Sequence, residues 1–365
     1  MPPYPGRARP GRERPDVWLI TLRDLQWRAR RFAFGVSGTA LVFAVTLLLA
    51  GLSSALHSEA TRTVDRVGAD AWLVKQGAGG PFSALTALPE TILSRVARAP
   101  GVRSADPLVM AFATTAAPHA VDVTVIGYRP GGLGPPPPAR GRAPAAPGEA
   151  LVDSATGIKV GSQFALTGHQ FTAVGQVHGM TLRGGVGNIY IPIHDAQAVL
   201  FGGNRIITTI VAKGWPTDPG ALGLTAISPR AASKDLLHLF SKGLQAIDLL
   251  RVLLWLVAAA IVGTVLYLSV LDRVQDFAVL KAIGVATRAL VISLALQAVL
   301  LSVLAATVGM VMGVLIAPAF PMSISLGAGN CAVLLAASTG VGLVAGALGL
   351  RRAVGIDPAV AFGAG

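Results

Sequence analysis

From Ala289 to Leu350 the chain carries no Asp, Glu, Lys or Arg. One helix cannot use so long an uncharged run, because Pro318 and Pro321, with Gly327 and Gly329, interrupt it. The run therefore reads as two bilayer-crossing helices, 289–317 and 331–350, joined by a loop over 318–330. Two further blocks lack charge, Phe32–Leu56 and Val252–Leu271, and they predict spans over 32–56 and 251–271. Each block reaches the roughly 20 residues that a helix needs to cross hydrocarbon. The first is also far longer than the apolar core of a cleaved signal, about 7–15 residues, so it is expected to stay. Only 13% of the residues are charged, about half the roughly 25% usual in soluble domains. A soluble fold is excluded on that ground.

Lys and Arg beside the spans set the orientation. Eight arginines precede the first span, among them Arg23, Arg28, Arg30 and Arg31. Arg273, Lys281 and Arg288 lie between the second and third spans, and Arg351 and Arg352 follow the fourth. Both termini and the 272–288 segment are expected in the cytoplasm, with residues 57–250 outside. Eight of the arginines behind the net charge of +12 form the flank of the first span. The 57–250 region holds sixteen basic against twelve acidic residues, so the charge points to anionic lipid headgroups and not to nucleic acid.

Residues 1–15 are Pro- and Arg-rich and read as disordered. Residues 16–31 read as an amphipathic helix in the membrane interface, with Arg23, Arg28, Arg30 and Arg31 on its polar side. Arg351 and Arg352 begin a cytoplasmic tail, 351–365, and are the matching anchors. Region 57–250 alternates strand signals with turns and reads as an α+β domain. Strands are expected at Ala71–Lys75, Val121–Tyr128, Gln170–Gln176, Asn188–Pro192 and Ile206–Ala212. Helices are expected at Leu88–Ala99, at Ile193–Phe201 and at Ser233–Leu250, the last running directly into the second span. Arg129–Ala150 reads as an extended Pro/Gly loop.

The motifs of catalysis are missing. The chain has no G-x-x-x-x-G-K-[ST] phosphate loop, no H-E-x-x-H and no G-x-S-x-G. The chain is expected to bind no metal and no cofactor, and to catalyse no reaction itself. No ionisable group lies in mid-span, which argues against a proton- or ion-coupled carrier. Gly309 with Gly313, and Gly342 with Gly346, form G-x-x-x-G pairs that predict close helix packing.

Between the second and third spans lies DRVQDFAVLKAIGVATR, Asp272 to Arg288. On a helix, Phe277, Leu280 and Gly284 share one side, flanked by Val279 and Ile283. Asp272 and Asp276 stand near the start, where carboxylates suit the helix dipole. Such a segment suits a protein groove, or equally a rest on lipid headgroups.

LYLSVLDRVQDFAVLKAIGVATRAL closely resembles the signature of FtsX-like, MacB-type ABC transporter permeases. GADAWLVKQG, VIGYRPGGLG, APGEALVD and IYIPIHDAQ resemble that family's periplasmic core domain. The resemblance covers nearly the whole chain from about Val17. It implies a four-span α-helical membrane protein of the bacterial cytoplasmic membrane, with a large domain between the first two spans. It also implies that 272–288 is a coupling helix to a separate ABC ATPase chain, which binds the ATP and Mg. Asp272, Asp276, Phe277, Leu280, Lys281, Ile283, Gly284 and Arg288 would make that contact. A second permease chain, the same or different, is a further implied partner, and an extracytoplasmic protein is another candidate. The family implies export or extraction of an amphipathic, lipid-linked or peptide substrate. Its other implication is a transducer that activates a cell-wall hydrolase without transport.

Overall fold

The computed structural model describes residues 29–84, 86–116, 120–182, 185–271, 287–319 and 326–354. The first helix, α1 (Ala29–Arg66), runs unbroken for 38 residues. It continues ten residues past the uncharged block because HSEATRTVDR offers no breaker, and Ala60 and Val64 give that stretch a buried edge. It stops where Gly68 turns to φ 73°.

After it come β1 (Ala71–Lys75), β2 (Leu88–Pro89), α2 (Ile92–Ala97), β3 (Val102–Thr114), β4 (Asp122–Tyr128), β5 (Arg140–Gly141) and β6 (Glu149–Asp153). Then follow β7 (Gln163–Leu166), β8 (His169–Val177), β9 (Thr181–Leu182), β10 (Val186–Pro192), α3 (Ile193–Phe201), β11 (Ile206–Ile207), β12 (Thr209–Gly214) and β13 (Leu224–Ile227). The remaining helices are α4 (Pro229–His238), α5 (Ser241–Leu271), α6 (Thr287–Ile316) and α7 (Ala328–Val354).

The chain forms two compact units. One gathers residues up to Gly51 with Leu249–Pro318 and the chain from Leu326 on; the other is built on Leu52–Asp248. The second is the α+β unit. Its sheet runs β13-β1-β12-β3-β4-β10-β6-β8-β5, with β7 added on β8 and β9 on β10. Alternate residues of each strand serve opposite faces, as the pleat requires. Leu73, Val109, Val125, Ile189 and Ile210 pack on one side with Leu93 and Val96 of α2 and Ala196 of α3. Trp72, Leu108, Ile126, Tyr190 and Val211 pack on the other, with Ala60 and Val64 of α1 and Ala232 and Leu236 of α4. At Gly127 a Cβ would lie 2.3 Å from that of Ala196, so glycine lets α3 settle directly on β4.

Three local expectations need correction. Leu88–Ala99 is not one helix: Leu88 and Pro89 pair with Ile207 and Ile206, and only Ile92–Ala97 is helical. Strand pairing satisfies the backbone there, and Gln197 supports it by donating to Glu90 and to the Ile206 carbonyl. Ser233–Leu250 is also divided. α4 begins earlier, at Pro229, where Ser228 caps it by accepting from the Ala231 N–H. It ends at His238, and Leu239 and Phe240 bond back three residues before α5 starts. The third is Ile206–Ala212, which is two strands: β11 pairs with β2, and β12 with β1 and β3. β3 itself, the longest strand among the described residues, has no counterpart among the expected strands. Pro107 hides it in the sequence, since proline removes a ladder donor. The Leu108 carbonyl accepts from Thr208 on the β12 side, so Pro107's nitrogen faces the β4 side, where pairing has already stopped at Leu108.

The Pro-rich loop is pinned at its end. Arg142 grips both carboxylate oxygens of Glu149, with Nη1 2.7 Å from Oε2. The N–H groups of Ala145 and Ala146 donate to the same carboxylate. Arg142 first, and then the Ala145 N–H, hold the Glu149 carboxyl down at about 2. At the other end of the sheet, Asp70 accepts from the Gly214 N–H at 2.8 Å and from Arg103 at 2.9 Å. Those bonds keep its carboxyl below the usual range, the Gly214 N–H most of all.

Candidate functional site

α1, α5, α6 and α7 are long and apolar enough to cross a membrane. Their shared core is small-residue rich: Ala40, Phe43, Leu47, Ala258, Val262, Ala298, Ala305, Ala306 and Ala345 are buried together. Phe43 and Trp255 make a tilted ring contact at 5.7 Å. The outer faces stay apolar, with Phe34, Leu41, Leu256, Val311, Leu315 and Leu343 among the exposed residues. An exposed apolar surface of that extent is what hydrocarbon, not water, accommodates.

Glycines set two of the helix contacts. A Cβ on Gly309 would sit 2.7 Å from the Ala40 carbonyl oxygen, and one on Gly313 3.2 Å from Leu47 Cδ2. Both numbers rise together, so α1 and α6 run parallel. A Cβ on Gly342 would meet the Ala298 carbonyl at 2.9 Å, and one on Gly346 the Ala295 Cα at 3.3 Å. Here the numbers run oppositely, so α6 and α7 are antiparallel. One more step along that register brings Ser338 level with Ser302. Both are fully buried. The Ser338 hydroxyl donates to the Leu335 carbonyl at 2.8 Å, whereas the Ser302 oxygen has no partner among the described residues. A backbone-to-backbone approach at the glycines gains dispersion contact, which is what holds helices together in lipid.

In the α+β unit, the last turns of α1 grip the segment that leads through β9. Glu59 accepts from the Thr181 hydroxyl, and the Thr63 hydroxyl donates to the Thr181 carbonyl at 3.2 Å. Arg66 donates to the His178 carbonyl at 3.4 Å. Asp153, fully buried, takes the Met180 N–H at 2.7 Å and the Ala155 N–H at the same distance. Burial pushes the nearby Tyr190 hydroxyl's pKa upward. Spacing of polar residues at 59, 63 and 66 was the available signal for this clasp, but it looks the same as a solvated helix face.

The positions singled out in the sequence fall as follows. Gly309, Gly313, Gly342 and Gly346 lie in the contacts just described. Arg30 and Arg31 are in the first turn of α1, Arg288 in the first turn of α6, and Arg351 and Arg352 in the last turn of α7. Arg23, Arg28, Asp272, Asp276, Phe277, Leu280, Lys281, Ile283 and Gly284 lie outside the described residues, as does most of the 16–31 stretch.

The family model described as FtsX-like permease C-terminal matches residues 249–358. An ABC transporter permease of Mycobacterium tuberculosis is 42% identical over 346 residues, which cover 94% of this chain and 99% of that one. This chain belongs to the ABC transporter permeases, with an FtsX-like C-terminal region. A second permease of M. tuberculosis is 38% identical over 350 residues, with the same coverage of both chains. The periplasmic region of MacB from Actinobacillus actinomycetemcomitans is similar at 16% identity and a TM-score of 0.33, over 49% of this chain and 86% of that one. As a permease, the protein is a membrane subunit, and its family implies a partner ATPase on another chain.

Proposed function

We propose that this permease serves an exporter or extractor of an amphipathic molecule, lipid-linked or peptide. A separate ATPase subunit, carrying ATP and Mg, supplies the energy. The observation that carries the reading is the charged interruption at Asp272–Arg288 between two helices that have no charge of their own over Val252–Leu271 and Ala289–Ile316. That segment is the docking point, with Phe277, Leu280, Lys281 and Gly284 at its centre and Asp272, Asp276, Ile283 and Arg288 around them. Both termini lie with it in the cytoplasm, and the α+β unit lies outside. Arg23, Arg28, Arg30, Arg31, Arg351 and Arg352 meet the anionic headgroups. Two permease chains pair with two ATPase chains. Closure of the ATPases pushes the docking segment, and the motion reaches the outer unit along α1 and α5. The uncharged interior of the spans supports such mechanical coupling over a conducting path.

The test is a detergent pull-down of the native protein from its own membranes, with Phe277→Asp beside it. A charge placed in an apolar contact should release the ATPase while the α+β unit stays folded. ATPase retained in equal amount by the variant overturns the docking assignment. A cell-wall enzyme captured in place of any ATPase overturns the transport reading.

A further inference from the structure

The loop after β4 carries four consecutive prolines, Pro135 to Pro138, and then Ala139 and Arg140. A pyrrolidine ring locks φ at about −65°, and a following proline keeps the residue before it extended. Pro135, Pro136 and Pro137 meet both conditions, so the sequence alone sets both of their backbone angles. Such a run is a polyproline II helix. None of the four has an N–H to give a sheet ladder, and β5 begins only at Arg140. Among the described residues no backbone N–H donates to the carbonyls of Pro135–Pro138.

The run is tied at both ends. Before it, the Leu133 N–H donates to Asp106 at 3.0 Å, and a Cβ on Gly134 would lie 3.1 Å from the Tyr128 side chain. After it, the Ala139 N–H donates to the Gln176 carbonyl at 2.8 Å and the Arg142 N–H to the Val174 carbonyl at 3.0 Å. Pro135, Pro136 and Pro138 are partly buried, whereas Pro137, Ala139 and Arg140 are exposed. One edge of the run therefore rests on the domain and the other meets solvent.

The arginines around the run differ. Arg129 stands 3.5 Å from Asp106, and Arg142 grips Glu149. Arg140 has no carboxylate within ion-pair reach among the described residues. A proline ridge with bare carbonyls matches aromatic side chains, which stack on the rings while tyrosine and tryptophan donate to the carbonyls. The unspent guanidinium calls for a carboxylate. One unpaired cation is a poor match for a lipid surface, which attracts clusters of them. We propose that Pro135–Arg140 is a docking ligand for a protein partner whose groove is lined by tyrosine and tryptophan, with a carboxylate at the Arg140 end. A run already ordered and held at both ends loses little entropy on binding. The assignment goes beyond the transport reading and does not depend on it.

The experiment titrates the full-length protein, in phosphatidylcholine nanodiscs, with an isolated SH3 domain, a reader of P-x-x-P segments with an aromatic, acidic groove. The shift of the domain's tryptophan indole reports binding, and a free peptide of residues 132–142 is the reference. The full chain should bind at least as tightly as the peptide. Arg140→Glu should weaken binding about tenfold, and Pro137→Ala about threefold. Pro147→Ala, at an exposed proline of the same loop outside the run, should change nothing. In cells, a photoreactive benzoylphenylalanine in place of Ala139 should cross-link to a tyrosine- and tryptophan-bearing peptide of another protein, and Arg140→Glu should remove that product. Binding by the peptide but not by the full chain, equal binding by Arg140→Glu, or cross-links to lipid or to other copies of this chain alone overturn the proposal. Neither arm involves an ATPase, so both are independent of the pull-down that tests the transport reading.

Discussion

The Ala40 carbonyl oxygen on α1 occupies the place a side chain at Gly309 would need: a Cβ there would lie 2.7 Å from it. That oxygen is backbone and cannot swing aside. Gly309→Ala therefore has to push the two helices apart, and the expected cost is about 1–3 kcal/mol. At Gly313 the nearest atom is the end of a leucine side chain, Leu47 Cδ2 at 3.2 Å, which can turn away. Gly313→Ala should cost clearly less. Unfolding of the two variants in mixed detergent compares them directly, and equal losses would mean that the contact at Ala40 is not rigid.

Ser302 is a different kind of position in the same bundle. Its hydroxyl is buried without a partner among the described residues, so it contributes a desolvation cost and no bond. Ser302→Ala should leave stability unchanged or raise it, by up to about 1 kcal/mol. Ser338→Ala should lower it slightly, because that hydroxyl donates to the Leu335 carbonyl. A substantial loss at Ser302→Ala, measured in the same detergent titration, would reveal a bond that the packing here does not provide.

Acid should loosen the Pro-rich loop before it affects the sheet. The Glu149 carboxyl is held at about 2, below the ordinary glutamate value of 4.5, mainly by Arg142. A depressed carboxyl contributes stability that is present above the unfolded value and is lost as pH falls through the folded one. The contribution should thus fade between about pH 4.5 and 2. The protection factors of the 140–149 amides on the full chain, taken relative to intrinsic exchange at each pH, should fall across that window. In Arg142→Gln the protection should already be low at neutral pH and respond weakly to acid. An unchanged response in that variant would assign the shift to the Ala145 and Ala146 N–H groups alone.

The membrane half was the legible half. Uncharged blocks of spanning length have few other uses, and each falls within one of the four long helices. What the blocks could not give was their neighbours: G-x-x-x-G at 309–313 and 342–346 marks a close approach but not that the first meets α1 and the second α6. The length of α1 was hidden because HSEATRTVDR has the composition of a loop, although it holds Ala60 and Val64 against the sheet. β3 was masked by Pro107, whose cost vanishes only where β4 has stopped pairing. The break at Leu239 and Phe240 has no glycine or proline to announce it. Long-range pairing decides each of these, and local periodicity does not contain it.

The clasp between α1 and Thr181 offers the sharpest dissection, because one residue makes two separable bonds. The Thr181 hydroxyl donates to the Glu59 carboxylate, while its backbone carbonyl accepts from the Thr63 hydroxyl. Thr181→Val keeps the carbonyl and removes only the hydroxyl. A double-mutant cycle of Glu59→Ala with Thr181→Val should therefore show coupling of about 1 kcal/mol or more. The cycle of Thr63→Val with Thr181→Val should show almost none, although Thr63→Val alone should cost about 1 kcal/mol for the lost bond. Unfolding free energies of the full chain supply both cycles. Comparable coupling in the two would mean that the segment through β9 shifts as a body when either bond is lost, and that the helix holds it by shape instead of by these hydroxyls.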